Sequence, residues 1–211
     1  MLEQDSQWEP IIPVLQNGGV VIIPTDTVYG IVGSALNPDT VARIYALKQR
    51  DERKPLIVLI AQMDQVETFG VILSETFETA LRNVWPGPVS VILPTFDEQF
   101  DFLSRETSGI AFRVPDDEVL LELLAHVGPL VAPSANKEGE ATVESIAEAE
   151  KIFGAQIDAY HYADTRLEGE PSILVRMDDE GEIVVLRGGQ GVSDIPNELS
   201  EYDFDDSQTF R

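Results

Sequence analysis

Residues 18–60 read GGVVIIPTDTVYGIVGSALNPDTVARIYALKQRDERKPLIVLI, and their order decides the fold. Val20 to Pro24 is an apolar run of the kind that forms a buried strand. It breaks into Thr25, Asp26, Thr27 and Tyr29, closed by Gly30, and the pattern predicts that a helix follows. Asn37-Pro38 supplies an N-cap and a first-turn proline. The helix runs to about Gln49, with Val41, Ile44, Tyr45 and Leu47 on or near one face. Lys48, Arg50 and Lys54 then arrive together, and Leu56 to Ile60 forms a second buried strand. Strand, polar turn, helix, cationic loop, strand: that order brings strand ends and cations to one edge of a sheet, where open α/β folds bind ligands.

The remaining chain repeats the theme. The expected helices are Glu9 to Asn17, Ser74 to Val84, Asp116 or Asp117 to His126, and Thr142 to Phe153. The expected strands are Val89 to Leu93, Ile110 to Val114, Leu130 to Ala132, Ile157 to Tyr162, Ser172 to Val175 and Ile183 to Leu186. Continuous apolar strands alternating with helices imply an α/β sheet covered on its faces. The length fits a single domain over residues 1–192, followed by an acidic, mobile tail over 193–211.

Charge narrows the function. The formal net charge is -24, from 38 acidic and 14 basic residues, and such a surface repels a phosphate backbone. Yet Lys48, Arg50, Arg53, Lys54, Arg113, Lys137 and Arg187, half of the basic residues, fall in or beside motif regions. That placement points to a local anion pocket on an acidic protein. The chain has no cysteine, which excludes disulfides and thiolate metal sites. No apolar run is long enough to span a bilayer, and the acidic N-terminus is unlike a signal peptide, so the expected location is the cytoplasm.

Six motifs end strands or open loops: Pro24 to Gly30, Lys48-Gln49-Arg50 with Lys54-Pro55-Leu56, Arg113-Val114-Pro115, Ala132 to Asn136, Pro171-Ser172, and Arg187-Gly188-Gly189. Each has a plain alternative. Asp and Thr bond their own backbone in turns, and cations favour helix C-termini. No Walker loop is present, so phosphate binding would use side-chain cations, with Arg offering a planar fork and Lys a point charge.

In their order, PTDTVYG, K-x-R with KPL, WPGPVSVILP, RVP and PSAN resemble the YrdC/Sua5 family of threonylcarbamoyl-AMP synthases, over about Gly18 to Gly189. The resemblance implies a YrdC/RibB-like α/β fold: a twisted, largely open mixed sheet with flanking helices and a cationic central cavity. It implies a nucleotidyltransferase that turns L-threonine, bicarbonate and ATP, with Mg2+ accompanying ATP, into L-threonylcarbamoyladenylate and pyrophosphate. A separate tRNA threonylcarbamoyl transferase complex then modifies adenosine 37 of tRNA to t6A.

By motif position the resemblance assigns Thr25, Arg113 and Ser172 to threonine. It assigns Lys48, Arg50, Lys54, Ser134, Asn136, Thr142 and Arg187 to ATP. It implies no nucleophile, general base or protein metal site, and His126 and His161 read as structural. Leu59 stands where Sua5-type members often carry His. Ile173 and Arg176 depart from the family's pattern beside the threonine site, and Ser90 replaces a common Thr. The C-terminal domain of Sua5 has no counterpart in the sequence, so the short, YrdC-like form is expected. These departures motivate one rival, a degenerate YciO-like nucleotide- or RNA-binding module of the same fold. A second rival, direct binding of tRNA or double-stranded RNA, is disfavoured by the charge.

Overall fold

The computed structural model describes residues 7–105, 107, 109–162, 167, 169–177 and 183–189. Among the described residues nine strands form one mixed sheet: β1 (Val21–Pro24), β2 (Tyr29–Ser34), β3 (Ile57–Leu59), β4 (Val89–Pro94), β5 (Gly109–Arg113), β6 (Leu130–Val131), β7 (Ala159–Tyr160), β8 (Ile173–Met177) and β9 (Ile183–Arg187). Their spatial order is β7-β1-β2-β6-β3-β5-β4-β8-β9. The β1–β7, β3–β5 and β4–β8 pairs are parallel and the other five are antiparallel. The helices are α1 (Ile12–Gln16), α2 (Pro38–Lys48), α3 (Glu75–Leu81), α4 (Asp101–Ser104), α5 (Glu118–Val127) and α6 (Ile146–Phe153). None of these is long and apolar enough to cross a membrane.

Both faces of the central strands are buried, which is why they read as continuous apolar runs, whereas β9 at the edge exposes Val185 and Leu186. Alternate residues serve opposite cores. Val20, Ile22, Tyr29 and Ile31 join the larger core with Ile44 of α2, Phe77 of α3, Leu103 of α4 and Phe153 of α6. Val21, Ile23, Val32 and Leu59 join the smaller one with Leu15 of α1 and Leu120, Leu123 and Leu124 of α5. The Trp8 indole seals that side by donating to the Val119 carbonyl at 2.7 Å.

Several boundaries match the expected caps. Asn37 accepts from the Asp39 and Thr40 amides, and Gln49 closes α2 in the left-handed region. Ser74 caps α3 and Asp117 caps α5. Others differ for physical reasons. The first helix begins at Ile12, not Glu9, because Pro13 fits only a first turn. The expected helix from Ser74 to Val84 stops at Leu81, and turns lead on to Trp85-Pro86. The expected strand from 157 to 162 keeps only two paired residues. The helix expected from Thr142 starts at Ile146 and is capped by Ser145; the S-x-x-E signal at 145–148 marks it. Residues 193–211, read as a tail, lie outside the described residues.

The largest difference is β2. Between the polar turn and α2 the chain folds back as a strand, pairing Ile23 with Gly30 and Val21 with Val32. Gly30 and Gly33 weaken a strand pattern, yet close packing requires glycine at 33. A Cβ there would lie 2.4 Å from Thr40 Cγ2 and 3.2 Å from Ile44 Cδ1 of α2. Gly33→Ala is therefore expected to cost about 1–3 kcal/mol. Each kcal/mol should lower the melting temperature by about 2–4 °C, measurable by calorimetry. An unchanged midpoint would mean that α2 shifts freely on the sheet.

Candidate functional site

Nine strands in series would place β1 far from β9, but the sheet curls until the ends of both border one pocket. Its wall includes Thr25 and Thr27 of the β1–β2 turn, Arg50 beyond α2, and Arg113 at the end of β5. Ser134 follows β6, Ser172 precedes β8 and Arg187 ends β9. Six of the ten predicted site residues thus converge: Thr25, Arg50, Arg113, Ser134, Ser172 and Arg187.

The turn that presents Thr25 is internally satisfied. Thr25 Oγ1 donates to the Val28 carbonyl at 2.6 Å and lies 3.2 Å from Thr27 Oγ1. The plain turn reading and the site reading both apply here. Ser134 is held by an isolated bridge to Gly30, and the Ala135 amide donates to Tyr29 O at 2.7 Å. The β2 strand that the sequence pattern hid is what anchors this loop.

The three pocket arginines differ in their partners. Arg50 donates through Nη2 to Pro55 O at 3.1 Å and through Nε to Lys54 O at 3.4 Å. Arg187 Nη2 donates to Ser172 O at 2.7 Å and Ser172 Oγ at 3.3 Å. Burial, then the charges of Arg50 and Arg113, push the Arg187 pKa down. Arg113 is ion-paired instead: its Nη1 donates to both oxygens of Asp26, at 2.7 and 2.6 Å. Its Nε is buried without a hydrogen-bond partner. Ser172 is braced by Ser90, with 2.9 Å between their hydroxyl oxygens.

Four predicted residues lie outside the pocket wall. Lys48 is 2% exposed, on the buried face of α2 one turn beyond Ile44. Its Nζ donates to Ser134 O at 2.5 Å, Asn136 O at 2.7 Å and Asn136 Oδ1 at 3.1 Å. Burial first, then Arg50, lowers its pKa to about 7, although Glu138 opposes the shift. Asn136 faces inward: its Oδ1 also accepts from Ser134 Oγ at 2.7 Å, and its Nδ2 donates to Glu140 O at 2.6 Å. Lys54 is ion-paired with Glu138, whose carboxylate also accepts from the Asp51 amide at 2.7 Å. Thr142 precedes α6 and neither caps it nor lines the pocket. Lys48 and Glu138 thus bind the cationic loop to the loop around Ser134.

The departures at Leu59, Ile173, Arg176 and Ser90 also miss the wall. Leu59 and Ile173 are fully buried, one in each core, and Arg176 is exposed on β8. Sequence reasoning gave Asp26 no role, because nothing local signals a partner 87 residues away. Among the described residues, no three His, Cys, Asp or Glu side chains converge to hold a metal.

Known proteins are similar to this chain in sequence and in fold. A threonylcarbamoyl-AMP synthase of Cellvibrio japonicus is 34% identical over 147 residues, 69% of this chain and 78% of that protein. One from Pyrococcus abyssi is 28% identical over 203 residues, 94% of this chain and 59% of that protein. One from Bacillus subtilis is 39% identical over 141 residues, 64% of this chain but 40% of its own length. The crystal structure of P. abyssi Sua5 complexed with L-threonine superposes with a TM-score of 0.79 at 29% identity, covering 89% of this chain and 56% of Sua5. E. coli YciO shares the fold, with a TM-score of 0.75 at 22% identity over 86% of this chain and 88% of YciO. The family model described as Sua5_yciO_yrdC, telomere recombination, matches residues 13–189, and with that span the chain belongs to the Sua5/YciO/YrdC family.

Proposed function

We propose that this protein is an L-threonylcarbamoyladenylate synthase, a nucleotidyltransferase acting on L-threonine, bicarbonate and ATP. One observation carries the reading: a single pocket joins Thr25, Arg113 and Ser172 with Arg50, Ser134 and Arg187. Relatives named threonylcarbamoyl-AMP synthase and the Sua5–threonine complex support it. The threonine amine captures the CO2 of bicarbonate to give an N-carboxylate, and the amine proton leaves with the bicarbonate hydroxide as water. An oxygen of that carboxylate attacks the α-phosphorus of ATP, and pyrophosphate leaves with the electron pair of the broken P–O bond. No side chain acts as nucleophile. The protein aligns two reactants and stabilises charge on the phosphates.

The unpartnered Nε edge of Arg113 takes the threonine carboxylate, and Thr25 and Ser172 take its other polar groups. Arg50 and Arg187, free of carboxylate partners among the described residues, attract the polyphosphate. Lys48 adds positive potential from behind and holds Ser134 in the wall. Mg2+ bound to ATP would neutralise phosphate charge, and a wall of Arg, Thr and Ser would leave such an ion to phosphate and water oxygens. The product passes to a tRNA threonylcarbamoyl transferase complex in the cytoplasm. A net charge of -24 argues against a broad RNA surface on this chain.

The test is pyrophosphate release with ATP, Mg2+ and bicarbonate, with and without L-threonine. Threonine-dependent release is expected, with serine much weaker. ATP binding without turnover would favour the degenerate YciO-like module instead. The departures that motivated that rival lie outside the pocket wall.

A further inference from the structure

Asp26 is a nearly dry acid for which the reaction above has no use. Its side chain is 8% exposed, and that of Arg113 is 4% exposed. Both Asp26 oxygens grip the same nitrogen, Arg113 Nη1, and Oδ2 also accepts from the Asp116 amide at 3.2 Å. A carboxylate that simply satisfied an arginine would span two nitrogens of the fork. Asp26 instead holds one corner. It leaves Nε buried and unpartnered, and no described residue accepts from Nη2. An unmade bond at a buried N–H is costly, so this edge calls for an acceptor that the described residues do not supply. The other two pocket arginines bond only carbonyl and hydroxyl oxygens among the described residues. Arg113 is therefore the pocket arginine that carries its own counter-charge, and its subsite depends on direction more than on net charge.

We propose that Asp26 is a positioning residue. It fixes the Arg113 guanidinium so that the Nε–Nη2 edge meets a planar carboxylate in two parallel hydrogen bonds. The identity of that carboxylate, the amino acid's own, rests on the functional reading above. A strut that merely ties the β1–β2 turn to the end of β5 would show the same ion pair, so the test must separate the two roles.

Calorimetric Kd values for L-threonine and for ATP are to be measured in the wild type, Asp26→Asn, Arg113→Lys and the double variant. The charge-assisted bonds at stake imply a rise in the threonine Kd of about tenfold for Asp26→Asn. The ATP Kd should stay within about twofold, the double variant binding threonine no worse than Arg113→Lys alone. Additive losses, or parallel losses of ATP and threonine affinity, would assign Asp26 to the fold and overturn the proposal. So would wild-type threonine affinity in Asp26→Asn. If Asp26→Asn does not fold, Asp26→Glu retains the charge but moves the fork. It should also weaken threonine binding, and an unchanged Kd there overturns the inference. A wild-type protein that binds no threonine sinks the functional reading and this inference together. Wild-type binding with an indifferent Asp26 sinks the inference alone.

Discussion

Arg50→Ala is expected to slow threonine-dependent pyrophosphate release about ten- to a hundredfold at saturating ATP, with little change in melting temperature. The loss of one charge-assisted contact to a desolvated phosphate is worth about 1.5–3 kcal/mol. If that contact is made in the transition state, it sets the rate directly. The fold should tolerate the change. Arg50 lies beyond the left-handed Gln49 cap of α2, and its side-chain bonds are one of 3.1 Å to the Pro55 carbonyl and a long one of 3.4 Å to the Lys54 carbonyl. Those carbonyls belong to a loop also held by Tyr45, whose hydroxyl donates to Lys54 O at 3.0 Å. Steady-state kinetics with a thermal melt on the same sample gives the answer. Near-wild-type turnover would remove Arg50 from the phosphate site.

Lys48→Met should act by a different route, losing stability and activity together. The ammonium is the donor that gathers Ser134 O, Asn136 O and Asn136 Oδ1. A thioether fills similar space but donates nothing. Each oxygen left unpaired costs about 1–3 kcal/mol. Ser134 O and Asn136 Oδ1 keep the Asn136 amide and the Ser134 hydroxyl as donors, so the net loss should be about that of one or two oxygens. At about 2–4 °C per kcal/mol the midpoint should fall several degrees. Ser134 should leave the wall, and turnover should fall with it.

The same lysine predicts a pH dependence. Its folded pKa, about 7, lies below the ordinary 10.5. Between those values the unfolded chain binds more protons than the folded one. The Lys48 contribution to stability therefore rises as pH increases through this window, and is lost as pH falls through about 7. The midpoint of the wild type minus that of Lys48→Met should grow from about pH 6 to about pH 9. A constant difference would place the titration outside this range.

Much of the site was legible because its residues sit where apolar runs stop. Thr25 follows β1, Arg113 ends β5, Ser134 follows β6, Ser172 precedes β8 and Arg187 ends β9. A polar side chain at the end of a strand buried on both faces has few places to go, and sequence order alone marks it. The inward turn of Lys48 was also written in the spacing. It follows Val41 by seven residues and Ile44 by four, which continues the buried face of α2. The resemblance instead assigns Lys48 to ATP, and a lysine at that phase also reads as a cation leaving a helix C-terminus.

What the sequence by itself determined is the local grammar. Asn37-Pro38 starts α2, Ser74 caps α3, Asp116 or Asp117 opens α5, and unbroken apolar runs mark buried strands. These depend on neighbours a few residues apart, so a one-dimensional reading reaches them. Only the tertiary structure decided that YGIVGS is a strand. Its glycines look unfavourable until α2 is seen packed against Gly33. Only the tertiary structure curled nine strands until β1 and β9 shared a pocket, turned Lys48 toward the Ser134 loop, and paired Asp26 with Arg113. Those outcomes depend on packing and on the cost of burying an unpaired charge between segments far apart in the chain, and neither term is written in local pattern.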